Sequence, residues 1–221
     1  MDIKNELYFI QLDKEIEFSA YVPLLKLLSE EKQNRISKFC FDVDKKLGVV
    51  SDLFVRYLIC SSLYEKNEEL LFTTNNYGKP YIKGVQNFHY NISHTLDAIV
   101  VATSRYPVGV DIEHIRTFDG RIVERFFCQN EAEYIKSSRE NQQDRFYEIW
   151  TKKEAYVKWI GKGLSVPLNS FDVLDVNLPC DFSAFTKGSY RISVCGENKN
   201  YFLNCINIPE KGVFERILSL C

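Results

Sequence analysis

An α+β fold in two subdomains, residues 1–104 and 105–221, is what this 221-residue chain predicts. Three observations point to it. Strand-like and helix-like stretches fall into two clusters, before and after about residue 104. Apolar residues alternate strictly in two short segments, 88–93 and 108–113. They recur at helical spacing in two long ones, 44–64 and 144–160. At roughly 100–200 residues per domain, the length suits one large domain or two small ones. A chain of this size can bury about 70% of its unfolded surface, so it needs no metal or disulfide to fold.

Taken in order, residues 7–12 (LYFIQL) read as a first strand. Ser29 opens SEEKQNRISKF with acids in its first turn, the pattern of a helix start. In the segment 44–64, Val50, Leu53, Phe54, Tyr57, Leu58 and Leu63 mark a helix. A short strand at 70–73 leads to the turn Asn75-Asn76-Tyr77-Gly78. Phe88, Tyr90 and Ile92 then alternate with His89, Asn91 and Ser93. Residues 98–103 (AIVVAT) are a continuous apolar run, and Arg105-Tyr106-Pro107 turns the chain into VGVDIE at 108–113. There Val108, Val110 and Ile112 face one way, and Gly109, Asp111 and Glu113 the other. Asn130 reads as a helix N-cap with an acid three residues on. The longest helix is expected at 144–160, stopped by Gly161 and Gly163. Three strand-like runs, near 171–176, 190–195 and 201–208, form a tail with the option of packing back on the first subdomain.

Composition narrows the function. Apolar residues make up 45% and charged residues 26%, the balance of a globular chain rather than a disordered one. Lys+Arg is 28 against Asp+Glu at 30, a net charge of -2, without the basic excess of a nucleic-acid binder. The seven cysteines are odd in number, widely spaced and form no C-x-x-C, which argues against a zinc site or a disulfide framework. Charges interrupt the apolar run at the N-terminus too early for a signal peptide, and no stretch approaches the roughly 20 apolar residues of a membrane span. The expectation is a cytoplasmic protein.

Several residues could carry chemistry. Asp111 and Glu113, at i and i+2 on a strand, project from one face. Two carboxylates so close repel, and a hard cation such as Mg²⁺ would relieve them; alone, the pair reads as well or better as solvated acids. Glu154 and Lys158, at i and i+4 on the long helix with Trp150 a turn before, suit a metal ligand or proton acceptor beside a phosphate-binding lysine, or simply a surface ion pair. His94 ends the strand that carries Asn91 and Ser93, and Lys79 sits on the stiff turn Gly78-Lys79-Pro80-Tyr81; either could meet phosphate or be an ordinary polar residue. Lys32 and Arg35 share a helix face suited to phosphate. No H-E-x-x-H, Walker loop, G-x-S-x-G or G-x-G-x-x-G occurs.

In combination these segments are specific. GKPY, NISH, VGVDIE and WTKKEAYVKWIGKGL, in that order, resemble the 4′-phosphopantetheinyl transferases, in their larger, surfactin-synthetase-activating type, over residues 29–171. The resemblance implies two similar α/β halves in a pseudo-twofold arrangement with the active site in the cleft between them, working as a monomer. It implies transfer of 4′-phosphopantetheine from coenzyme A to a serine of an acyl or peptidyl carrier protein, releasing adenosine 3′,5′-bisphosphate. Asp111, Glu113 and Glu154 would hold Mg²⁺, Glu154 would take the serine proton, and Lys158 would stabilise the diphosphate. Lys32, Arg35, Lys79, Ser93 and His94 match positions that contact coenzyme A in the family. Leu47 stands where many members carry an arginine, which leaves the adenine side open. Arg116, Arg121 and Arg125 would steer an acidic carrier. The competing readings are a non-catalytic relative that binds coenzyme A or a carrier, and another Mg²⁺-dependent phosphoryl-transfer enzyme.

Overall fold

The computed structural model describes residues 3–197, 202 and 204–220. Strand β1 (Glu6–Gln11) sends Leu7 and Phe9 to one core, and Tyr8 and Ile10 to another. A 3₁₀ stretch (Phe18–Leu27) leads to α1 (Glu30–Ser37), where the Ser29 hydroxyl caps the helix by accepting the Lys32 N–H. Helix α2 (Asp42–Leu63) follows, then the small hairpin of β2 (Phe72–Thr74) and β3 (Pro80–Ile82). Strands β4 (His89–Thr95) and β5 (Ala98–Ser104) complete the half.

Beyond the Pro107 turn the pattern repeats. Strand β6 (Val108–His114) is followed by α3 (Arg121–Phe126), α4 (Gln129–Lys136) and α5 (Gln142–Ile160). Strands β7 (Asp181–Lys187) and β8 (Tyr190–Gly196) come next, then β9 (Cys205–Pro209) and α6 (Glu210–Leu218). The first sheet has the order β4-β5-β1-β9, and the second β6-β8-β7. In both halves the last strand of the strand–helix–strand–strand unit lies in the middle, antiparallel to its neighbours.

The two sheets pack face to face. Leu7, Phe9, Ala98, Val100 and Ala102 meet Val108, Val110, Ile112, Ile192 and Val194 in one core. The outer face of the first sheet carries Ile10, Ile99 and Val101 against α2 and α6. All seven residues of β5 are buried, which explains the unbroken apolar run in its sequence. Strand β9 joins the first sheet parallel to β1, so the end of the chain belongs to the first core. Among the described residues, no helix is long and apolar enough to cross a membrane.

The structure corrects four expectations. At 22 residues, α2 is longer than α5, which has 19. Helix α4 starts at Gln129 rather than after Asn130, because Glu131 reaches back to the Cys128 N–H at 3.0 Å. Residues 171–176 form no strand: the Leu168 and Phe171 carbonyls accept from the Lys153 ammonium at 2.6 and 2.7 Å, and the Val173 N–H donates to Glu131 at 2.8 Å. With those backbone groups held by side chains, no ladder forms. The run expected at 201–208 is the strand Cys205–Pro209, and positions 201 and 203 of it lie outside the described residues. Strand β7 and helix α6 were not foreseen. The first is a half-exposed edge strand, and the second is only nine residues long.

Candidate active site

A glycine sets the distance between α5 and the second sheet. A Cβ at Gly109 would lie 2.0 Å from the Ala155 carbonyl oxygen and 2.4 Å from the Trp159 nitrogen. Only glycine lets the helix backbone come so close to β6. The close approach brings Trp150, Glu154 and Lys158, successive on one helix face, over Asp111 and Glu113. The spacing V-G-V-D contains the signal for this contact, an isolated glycine inside a strand pattern.

The first half supplies the opposite wall. Strand β4 runs beside β6 at the edges of the two sheets, and the Val110 N–H donates to Asn91 Oδ1 at 2.8 Å. This places Ser93 against Asp111, its hydroxyl donating to Asp111 Oδ1 at 2.9 Å. The Lys158 ammonium donates to the same carboxylate oxygen at 2.6 Å and to Ser93 Oγ at 2.8 Å. Asp111, Ser93 and Lys158 thus form one charged knot built from three elements.

Asp111 Oδ2 is buried and has no hydrogen-bond partner. A free carboxylate oxygen in such a place is costly unless a ligand meets it. Glu113 accepts from the Trp150 indole N–H at 3.3 Å, and burial, then the neighbouring Asp111, lift its carboxyl to about 7. Burial, followed by Asp111, also raises Glu154, against the pull of Lys158. The three acids therefore share one electrostatic site, but their oxygens are not all within 4.8 Å of one another. A lysine rather than a third carboxylate lies against Asp111. An all-oxygen set with one orphaned buried atom fits a hard divalent cation.

Among the described residues, the acid cluster that does meet the 4.8 Å spacing is Cys128, Glu131 and Asp172. Its Glu131 is already held by Lys153 in a fully buried ion pair at 2.7 Å. This pair ties α4, α5 and the 168–173 segment together, and neither residue stood out in the sequence.

The other expected residues divide. His94 lies where Lys158, Asp44 and Arg35 all act on it. Surrounding protein, then the Lys158 and Arg35 charges, lower its basicity, against Asp44. Lys32 is paired with Asp52 at 3.1 Å, so it and Arg35 do not act as one free pair. Lys79 is not brought to the carboxylates. Its ammonium donates to the carbonyls of Val108 at 3.0 Å and Trp159 at 3.2 Å, and burial lowers it to about 8. Leu47 is buried in the first core, and its neighbour Lys46 is tied to Glu210 at 3.1 Å. Arg116 lines a 340 Å³ cavity that begins at Glu113 and is walled by Phe118, Ile122, Phe146 and Trp150. Arg121 is exposed and its backbone N–H and guanidinium donate to the Asp119 carboxylate, and Arg125 lies over the Phe126 ring.

Two family models match consecutive stretches of this chain. Residues 16–106 match the 4′-phosphopantetheinyl transferase, N-terminal model, and residues 107–206 the 4′-phosphopantetheinyl transferase superfamily model. The chain is 38% identical to 4′-phosphopantetheinyl transferase gsp of Aneurinibacillus migulanus, over 75% of this chain and 70% of that protein. It is 30% identical to 4′-phosphopantetheinyl transferase ffp of Bacillus subtilis, over 89% of this chain and 94% of that one. Similarity extends to the L-aminoadipate-semialdehyde dehydrogenase-phosphopantetheinyl transferase of Mus musculus, 31% identical over 70% of this chain and 55% of that protein.

Proposed function

Because the chain belongs to the 4′-phosphopantetheinyl transferases, which modify carrier proteins, we propose that its donor is coenzyme A and that it releases adenosine 3′,5′-bisphosphate. The observation that carries this reading is the knot of Lys158, Ser93 and Asp111, with one Asp111 oxygen buried and free. A cation-binding carboxylate beside a fixed ammonium is what a diphosphate needs.

The carrier serine oxygen forms a bond to the β-phosphorus, and the bond from that phosphorus to the bridging oxygen breaks. Adenosine 3′,5′-bisphosphate leaves with the bridging oxygen. Glu154 takes the serine proton, since a raised carboxyl holds a proton better near neutrality. Lys158 meets the charge that grows on the diphosphate, and His94 with Arg35 faces the phosphate-rich end of the donor. Asp111, Glu113 and Glu154 would hold Mg²⁺, which when bound neutralises the diphosphate charge. Trp150 holds Glu113 in place. Both walls of the site come from one chain, so a monomer suffices.

Intact-mass analysis of an apo carrier protein, incubated with coenzyme A and Mg²⁺, tests the reading. The expected result is addition of one phosphopantetheine, with Glu154→Ala slower by about 100-fold or more, the scale on which loss of a general base is felt. If the wild type modifies no acyl or peptidyl carrier, the reading is wrong. Arg116 lines the cavity at Glu113, and with the exposed Arg121 and Arg125 it would draw in an acidic carrier. Reversing Arg121 and Arg125 to Glu should raise the carrier KM while leaving coenzyme A binding alone. Unchanged carrier kinetics would remove these arginines from the docking surface.

A further inference from the structure

We infer that the β2–β3 hairpin is a clasp on the end of α5, and that Asn75 and Lys79 are positioning residues for Lys158. The inference rests on the reading of Lys158 given above. The last carbonyls of any α-helix lack partners within the helix. In α5 two of them are met by side chains from the other half of the molecule. Asn75 Nδ2 donates to the Gly161 carbonyl at 2.8 Å, and the Lys79 ammonium donates to that of Trp159 at 3.2 Å. The same ammonium donates to Val108 at the start of β6, so one side chain joins the helix end to the strand that carries Asp111.

The hairpin itself is shaped for this. Asn75 Oδ1 accepts the N–H groups of Tyr77 and Lys79, both at 2.9 Å, which folds the turn and aims its amide group at α5. On the receiving side, Gly161 has a φ of +67°, and a Cβ there would lie 2.9 Å from Lys79 Cδ and 3.1 Å from Asn75 Nδ2. Glycine at this position thus serves the helix stop and the docked hairpin together. Lys158 is one turn before Gly161, and its ammonium makes two short bonds that a small shift of the helix end would break. The clasp holds that last turn against β6.

The closing experiment uses Asn75→Asp, which keeps the Oδ1 acceptor that folds the turn, removes the donor to Gly161 and sets a carboxylate oxygen against that carbonyl. Lys79→Met, Lys79→Arg and the Asn75→Asp/Lys79→Met double variant complete the set. Each is assayed with coenzyme A, Mg²⁺ and an apo carrier, alongside thermal unfolding and hydrogen exchange of the amides at 157–161. The clasp predicts that Asn75→Asp and Lys79→Met each lower kcat about tenfold, the order expected for a sub-ångström misplacement of a catalytic group. Coenzyme A KM should stay within about twofold, and the double variant should be little worse than either single one, because both act through one helix end. Lys79→Arg should restore most of the loss, and exchange at 157–161 should accelerate in Asn75→Asp. If instead Lys79→Met raises coenzyme A KM with kcat kept, and Asn75→Asp is indistinguishable from wild type in rate and exchange, Lys79 serves the donor and there is no clasp. The exchange measurement needs no substrate. A wild type that modifies no carrier would therefore overturn the function, while unaltered exchange would overturn the clasp.

Discussion

A carboxyl with an ordinary value of 4.5 that the fold holds at about 7 keeps its proton in a window where the unfolded chain has lost it. Glu113 is such a group, so across that window the folded protein binds more protons than the unfolded one. Its contribution to stability is therefore present below about pH 4.5 and is lost as pH rises towards 7. Glu154 is displaced in the same direction. Glu113→Gln fixes the neutral form, so in buffer free of divalent cations it should gain melting temperature over the wild type at pH 8 and not at pH 4, while losing transfer activity. An equal shift at both pH values would mean that Glu113 is not held protonated. That Asp111 shares a face with Glu113, and Glu154 with Lys158, was legible because spacings of two on a strand and four on a helix fix a shared face. The partners of Lys32 and Lys79 were not. Long flexible side chains are directed by tertiary neighbours, here Asp52 and two carbonyls, that sequence spacing does not bring near.

Elements were legible where their period was clean. Strand β6 and helix α5 both read correctly from apolar recurrence, and they meet at the glycine between Val108 and Val110. The segment 171–176 misled because apolar alternation says nothing of where backbone hydrogen bonds go, and there they go to Lys153 and Glu131. The contact at Gly109 makes a strong prediction. The atoms that an added methyl would meet are backbone atoms of Ala155 and Trp159, which cannot swing aside. Gly109→Ala must therefore push α5 away from β6, at about 1–3 kcal/mol for overpacking. Lys158 and Glu154 would move with the helix, so kcat/KM should fall far more than the loss of stability explains, by about 100-fold for a shift of about 1 Å. Urea unfolding and kinetics at a temperature where the variant is fully folded separate the two effects. Wild-type kinetics in a folded Gly109→Ala protein would show that this close approach does not set the site.

At the scale of the whole molecule, neither half owns the site: β4 belongs to the first sheet, β6 and α5 to the second, and the charged knot forms only where they meet. The chain also returns to its beginning, since β9 pairs with β1 and α6 packs in the first core. That return was the least legible part, because it depends on contacts between residues far apart in sequence. Its anchor is Glu210, buried, accepting from the Tyr21 hydroxyl at 2.8 Å and paired with Lys46 at 3.1 Å. Lys46 donates in turn to the Asp13 carbonyl at 2.8 Å, so one ion pair joins the tail, α2 and the segment after β1. Removing one member of such a pair strands a charge away from water, which typically costs about 3–5 kcal/mol, whereas replacing both with apolar side chains costs much less. Glu210→Ala should therefore lower the urea midpoint sharply, and Lys46→Met/Glu210→Leu should recover part of that loss even though Tyr21 still lacks its acceptor. In neither variant should the folded fraction lose its transfer rate, because Lys46 and Glu210 hold the scaffold and touch none of the acids. A double variant as unstable as the single one would mean that Glu210 acts through its hydrogen bonds to Tyr21 and the backbone, and that the ion pair with Lys46 contributes little to holding the tail.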